Sequence, residues 1–316
     1  MRGLTTELDK TDKESMSNSR RILIRISAAL AIAVALSGAA AAQTRPAGGK
    51  NFLWKVQSGS GVLYLAGSVH ALTPDAYPLN PAYLRAFDAT GVLVEEIDLK
   101  EADPFSSGAP ALLAKGLYQD GRTFDRAVSR ETAALVAEKL KNTPLALELI
   151  QPMKPWMVML MLEALGTQAA GLDPELGLDK LFYDMATGAG KPVIGLETAE
   201  SQMDRFDKMP EPMQEEMLRS ELAEMDTEKA SLRALLTAWQ TGDSAAIEKM
   251  LLSAFRSSPA AYASLITERN QNWMPQLDAC LKRPSPCFVI VGAAHLVGPE
   301  GLLSMLQRRG YRVEQQ

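Results

Sequence analysis

Cys287-Phe-Val-Ile-Val-Gly292-Ala-Ala-His295, near the end of the chain, reads as a short apolar strand that stops at a glycine and offers a histidine three residues later. Val62-Leu-Tyr-Leu-Ala-Gly67-Ser-Val-His70 has the same order. These are the only 2 histidines in the sequence. The residues that follow also match: Ala71-Leu72-Thr73-Pro74 and Leu296-Val297-Gly298-Pro299 each lead towards a helix. Glycine makes up 22 of 316 residues, so the shared offset alone carries little weight. The shared strand context gives the pairing its force, as a weak repeat of strand, GxxH and helix.

Working outward, short apolar runs bounded by glycine alternate with longer amphipathic stretches, the pattern of an α/β fold with a central mixed sheet. Strands are predicted over 62–66, 92–96, 192–196, 287–291 and 311–314, with a first strand over 52–57 turning at Ser58-Gly59-Ser60-Gly61. Helices are predicted over 81–89, 131–142, 154–165, 178–187, 198–208 and 299–309. Two largely helical insertions, about 99–191 and 202–282, interrupt the strands and read as covers over the sheet, since no Pro/Ser-rich linker sets them apart. In the second, Met213, Met217, Leu218, Leu222 and Met225 recur near helical spacing with glutamates between them.

Two other predicted strands end in acids: Val92-Leu-Val-Glu95-Glu96-Ile97-Asp98 and Val193-Ile194-Gly195-Leu196-Glu197-Thr198. In open α/β sheets, ligands collect beyond the carboxyl ends of the strands. Four strands would thus bring His70, Glu95 or Glu96, Glu197 and His295 to one rim. Imidazole nitrogen with carboxylate oxygen suits a divalent metal ion such as zinc, manganese or cobalt, which would activate water for hydrolysis. Glu95 and Glu96 face opposite sides of an extended strand, so only one of them serves the site. Plainer readings stand beside this one. A histidine after a strand is commonly a hydrogen-bonded loop residue, and Glu197 directly precedes Thr198, a ready helix N-cap. Ser68 lacks the setting of a nucleophile elbow, and strand alternation aims it away from His70. The Met153, Met157, Met159 and Met161 series has no histidine near it and reads as a buried or groove-lining helix rather than a copper site.

Net charge is -5, and no basic face points to nucleic acid. The first forty or so residues are of another kind. Arg20, Arg21 and Arg25 precede an apolar or small-residue run over 26–42 that ends in Ala40-Ala41-Ala42. That is a secretory signal over 1–42, cut near Ala42, with a start at Met16 as an alternative. The expectation is an exported protein of the periplasm or cell envelope. Residues 43–316 would form a single α/β domain, with membrane contact only through the leader if it stays uncut. Cys280 and Cys287, separated by a segment holding Pro284 and Pro286, fit a local disulfide in an oxidising compartment.

As a set, several further motifs resemble the TraB/GumN family, related to the Tiki metalloproteases and more distantly to the erythromycin esterase and ChaN-like superfamily. They are Phe52-Leu-Trp-Lys, Tyr77-Pro-Leu, Gly177-Leu178-Asp179, Gly195-Leu196-Glu197-Thr198 with Gln202, Glu268-Arg269-Asn270, and the two GxxH stretches. The resemblance spans roughly 52–313. It implies metal-dependent hydrolysis, with peptide bonds as substrate in the Tiki branch. It maps the paired histidines onto His70 and His295 and, through Glu96-Ile97-Asp98, the metal-binding acid onto Glu96. Glu197 is implied as a second catalytic carboxylate, to orient water or act as general base. Arg269 is implied as a cation for a substrate carboxylate or an oxyanion, a structural ion pair being the alternative. The substrate implied is a peptide or small molecule. The ChaN side implies a different role, non-catalytic binding of a metal, haem or small ligand at the same rim. The esterase side implies metal-free acid–base chemistry.

Overall fold

A hairpin starts the sheet because Gly59, at φ 57°, turns the chain between two apolar runs. These are β1 (Leu53–Ser58) and β2 (Gly61–Ser68). They are followed by β3 (Val92–Glu95), β4 (Val193–Gly195), β5 (Cys287–Gly292) and β6 (Arg312–Gln315). The computed structural model describes residues 50–316 apart from 60, 102–105, 107, 142, 144, 226–227 and 256–257. The leader expected over 1–42 and its expected cleavage point at Ala42 lie outside the described residues.

The six strands form one mixed sheet in the order β4-β3-β5-β2-β1-β6. The four strands β4, β3, β5 and β2 run parallel, while β1 is antiparallel to both β2 and β6. The expected α/β class with a mixed sheet is what forms, with strand limits within one or two residues of the sequence reading. β5 occupies the middle and is buried along almost its whole length. Its Phe288 packs against Phe182 and Phe87, with ring centroids 4.5 and 5.6 Å away. Burying side chains of this size contributes about 1.5–3 kcal/mol each.

The longer helices include α1 (Pro81–Asp88), α2 (Arg130–Leu140), α3 (Pro155–Ala169), α4 (Leu178–Gly188), α5 (Ala199–Asp207), α6 (Glu211–Glu224), α7 (Glu228–Gln240), α8 (Ser244–Leu251), α9 (Glu268–Cys280) and α10 (Leu302–Arg308). Asn80 caps α1, and Thr198 with Ser201 forms a capping box on α5. The predicted helix over 299–309 begins only at Leu302, because the chain first makes a short turn of helix, Ala293–Leu296, directly after β5. The corresponding stretch after His70 has a 3-10 turn, Pro74–Ala76, so the repeat is closest within the strands and glycines.

Two hydrophobic clusters result. The larger surrounds the sheet. The smaller is made by Phe124, Val136, Val158, Met159, Leu162 and Leu218 with their neighbours, and joins α2, α3 and α6. Three of the four methionines in that series belong to this second cluster: Met159 on α3 is buried, and Met161 on α3 and Met153 just before it pack against it. Cys280 at the end of α9 and Cys287 at the start of β5 stand at disulfide distance, with Cα atoms 5.8 Å apart. Among the described residues no helix is long and apolar enough to cross a membrane.

Candidate functional site

Because β2, β3, β4 and β5 are parallel, their carboxyl ends share one rim. His70 lies two residues past β2, Glu96 one past β3, Glu197 two past β4, and His295 three past β5 on its short helical turn. α9 brings Arg269 and Asn270 to the same place. It follows a π-helical turn, Ala263–Thr267, a local widening often found at functional sites.

Arg269 is buried at the centre, and each of its three guanidinium nitrogens has a partner. Nε donates to Glu197 Oε1 at 2.8 Å. Nη2 faces Glu96 Oε2 and lies 2.6 Å from Glu197 Oε1. Nη1 donates to Leu265 O at 3.2 Å and to His295 Nε2 at 2.9 Å. Gln202 donates from Nε2 to Glu96 Oε2 at 3.1 Å and to Glu197 Oε1 at 3.4 Å. Glu96 Oε1 accepts the backbone N–H of Gly292 at 2.7 Å and lies 3.9 Å from His295 Nε2. Glu197 thus meets the other groups through Arg269 and Gln202.

Both imidazoles turn to one point. A Cβ placed on Gly292 would sit 3.2 Å from Glu96 Oε1, 3.4 Å from His70 Nε2 and 3.7 Å from His295 Cδ2. His295 is buried, and His70 is open, with its side chain 68% exposed. The outer nitrogens are held as well: His70 Nδ1 lies 2.8 Å from Asp179 Oδ2, and His295 Nδ1 lies 2.8 Å from Asn270 Oδ1. Trp273 packs on the His295 ring, centroids 4.5 Å apart.

The electrostatics separate these groups. Burial pushes the Glu96 carboxyl up, but Arg269, the two histidines and the Gly292 N–H outweigh it and hold Glu96 at about 2. Burial pushes His295 down to about 3, so it stays neutral. The Asp179 carboxylate pushes His70 upward, in part screened by the water that reaches its exposed ring. Burial raises Glu197. Glu95 faces away from this cluster. It is 2% exposed, neither carboxyl oxygen has a partner, and burial lifts it to about 9.

Ser68 does not point away from His70: residues two apart in an extended chain share a face, and Oγ is 3.5 Å from His70 Nδ1. Its hydroxyl donates to Asp179 Oδ2, so it is not a primed nucleophile. Asp179, Gln202 and Asn270 are the partners that the sequence reading gave no role. All three sat in quoted motifs, but nothing local showed which side chain each would reach.

The residue types suit a divalent ion: His70 Nε2, Glu96 Oε1 and the Cδ2 edge of the His295 ring bound the space above Gly292, where only a glycine leaves room. Each histidine has its Nδ1 engaged by an oxygen, as metal-binding histidines do. Arg269 Nη1 now takes the His295 Nε2 lone pair. Accordingly, among the described residues no three such side chains stand together as a ready ion site, and binding requires that hydrogen bond to give way.

A family model described as the TraB/PrgY/gumN family matches residues 52–315. The Escherichia coli (strain K12) protein described as "Uncharacterized protein YbaP" is 26% identical over 244 residues, covering 77% of this chain and 87% of the relative. The Shigella flexneri protein of the same description matches to the same extent. No solved structure matches.

Proposed function

The chain belongs to the TraB/PrgY/gumN family, and from that premise we propose that it is an exported, metal-dependent hydrolase of peptide or small-molecule substrates. The observation that carries this reading is the convergence of His70 Nε2, Glu96 Oε1 and the His295 ring on the space above Gly292. His70, His295 and Glu96 would hold a zinc, manganese or cobalt ion. Such an ion supplies a Lewis acid that polarises the scissile carbonyl and makes water nucleophilic near neutral pH.

The chain's own groups divide the remaining work. His70 is the exposed member and meets substrate first. Glu197, with Gln202, fixes Arg269, and Arg269 fixes Glu96 and His295. With all three guanidinium nitrogens already engaged, Arg269 acts as a positioning cation, and it reaches a developing oxyanion by giving up part of that pairing. The leader over 1–42 and the Cys280–Cys287 pair both support export to an oxidising compartment.

Elemental analysis of purified protein beside His70→Ala and His295→Ala tests the reading, together with cleavage of peptide and ester probes. Stoichiometric metal and metal-stimulated cleavage in the wild type, both lost in the two variants, are expected. A wild type that takes up no zinc, manganese or cobalt ends it. One observation favours a metal-free alternative: Arg269 already sits on His295 Nε2, leaving His70 and a carboxylate as the pair for direct acid–base chemistry. Cleavage that persists in strong chelator would select that alternative.

A further inference from the structure

We infer that Asn270 and Asp179 are positioning residues that lock both histidines with a proton on Nδ1 and Nε2 turned into the site. This rests on reading the rim as functional, and it adds two residues to that site. The argument begins at Asn270, which is fully buried. Its side-chain nitrogen faces two backbone carbonyls, His295 O at 3.0 Å and Glu300 O at 2.8 Å. Carbonyl oxygens only accept, so both must be met by the NH2 group, and the amide cannot be flipped. Its oxygen is therefore fixed towards His295, and His295 Nδ1 must donate to it at 2.8 Å. Since Arg269 donates to Nε2 at 2.9 Å, that nitrogen keeps a lone pair. The neutral ring thus has one available tautomer.

His70 reaches the same orientation by different means. Asp179 accepts from His70 Nδ1 at 2.8 Å, and the same oxygen accepts the buried Ser68 hydroxyl. The approach depends on Gly177, one residue before α4. A Cβ there would lie 2.3 Å from the His70 carbonyl oxygen, so only glycine lets the start of α4 come close enough for Asp179 to meet the ring. The 3.2 Å bond from Leu178 N to Val69 O fastens that approach. One histidine is thus held by a neutral amide and the other by a carboxylate. Both partners sit on helices, α9 and α4, that flank the strands rather than on the strands themselves.

With only 2 histidines in the chain, 15N-histidine labelling gives two ring systems and a direct test. Long-range proton–nitrogen spectra of the full chain near neutral pH should show one neutral ring protonated at Nδ1 and unprotonated at Nε2, assigned to His295 by its loss in His295→Ala. Asn270→Ala should remove that tautomer preference and leave the His70 signals in place, which also reports that the fold is intact. Asp179→Ala should shift the His70 ring signals and leave the His295 tautomer in place. A wild-type His295 protonated at Nε2 overturns the inference, as does an unchanged tautomer in Asn270→Ala. Should Asn270→Ala not fold, the wild-type spectrum still decides. The readout uses neither metal nor substrate, so it stands or falls apart from the hydrolase assay.

Discussion

At the scale of single residues, neighbours Glu95 and Glu96 meet opposite fates. Glu96 is an ionised acid whose charge is matched by Arg269, while Glu95 is a buried acid with nothing to match it. The sign of its pH effect follows. A carboxyl raised from 4.5 to about 9 binds its proton more tightly in the folded chain, so its contribution is full below pH 4.5 and is lost as pH rises towards 9. Glu95→Gln should therefore stabilise the protein by about 3 kcal/mol at pH 7 and by little at pH 4.5, read from urea denaturation at the two values. Equal effects at both would show that Glu95 is not held neutral. Gly292 gives a second prediction. Its backbone (φ -50°, ψ 138°) suits alanine, but the added methyl would fill the space between Glu96 and the histidines. Gly292→Ala should change stability by less than about 1 kcal/mol while lowering hydrolysis on the order of 100-fold. Full activity in this variant would place the chemistry elsewhere.

Among the elements, α9 and β5 carry Arg269, Asn270 and His295, and the Cys280–Cys287 pair joins the end of one to the start of the other. The closed loop is short, so the link should contribute about 2–3 kcal/mol. Cys280→Ala with Cys287→Ala should lower the urea midpoint accordingly, and reductant should then have no further effect. A midpoint equal to wild type would mean that the pair is not bonded in solution. Strands were legible because an apolar run closed by glycine is a local signal, as at Val289, Ile290 and Gly292. The outward placement of histidines after two such runs was legible for the same reason. Strand order was not, since nothing in the run itself says that β5 lies between β3 and β2. Nor was the partnership of His70 with Asp179, which depends on where α4 docks, or the way Arg269 divides itself among three side chains. Those are decided by tertiary packing across more than a hundred residues for the first pair. The π-helical turn ahead of Arg269 has no sequence mark that we could read.

Taken as a whole molecule, the described chain has two centres of cohesion, the sheet core and the cluster joining α2, α3 and α6. Only the first lies beneath the rim. Leu162→Ala, in the second, should cost about 2–5 kcal/mol. Amide exchange should quicken across α2, α3 and α6 while β2 and β5 keep their protection. Uniform acceleration would show that the two clusters melt as one. A last consequence concerns how the sheet is completed. β3 pairs with β4, and β2 with β1, but the strand that bridges these halves is made after all four. During synthesis the polypeptide therefore carries two unfinished ladders with bare edges, which is where a nascent chain is prone to mispair. A holdase or a stretch of delay before β5 emerges would guard it, and a product cut short ahead of Cys287 should precipitate rather than fold.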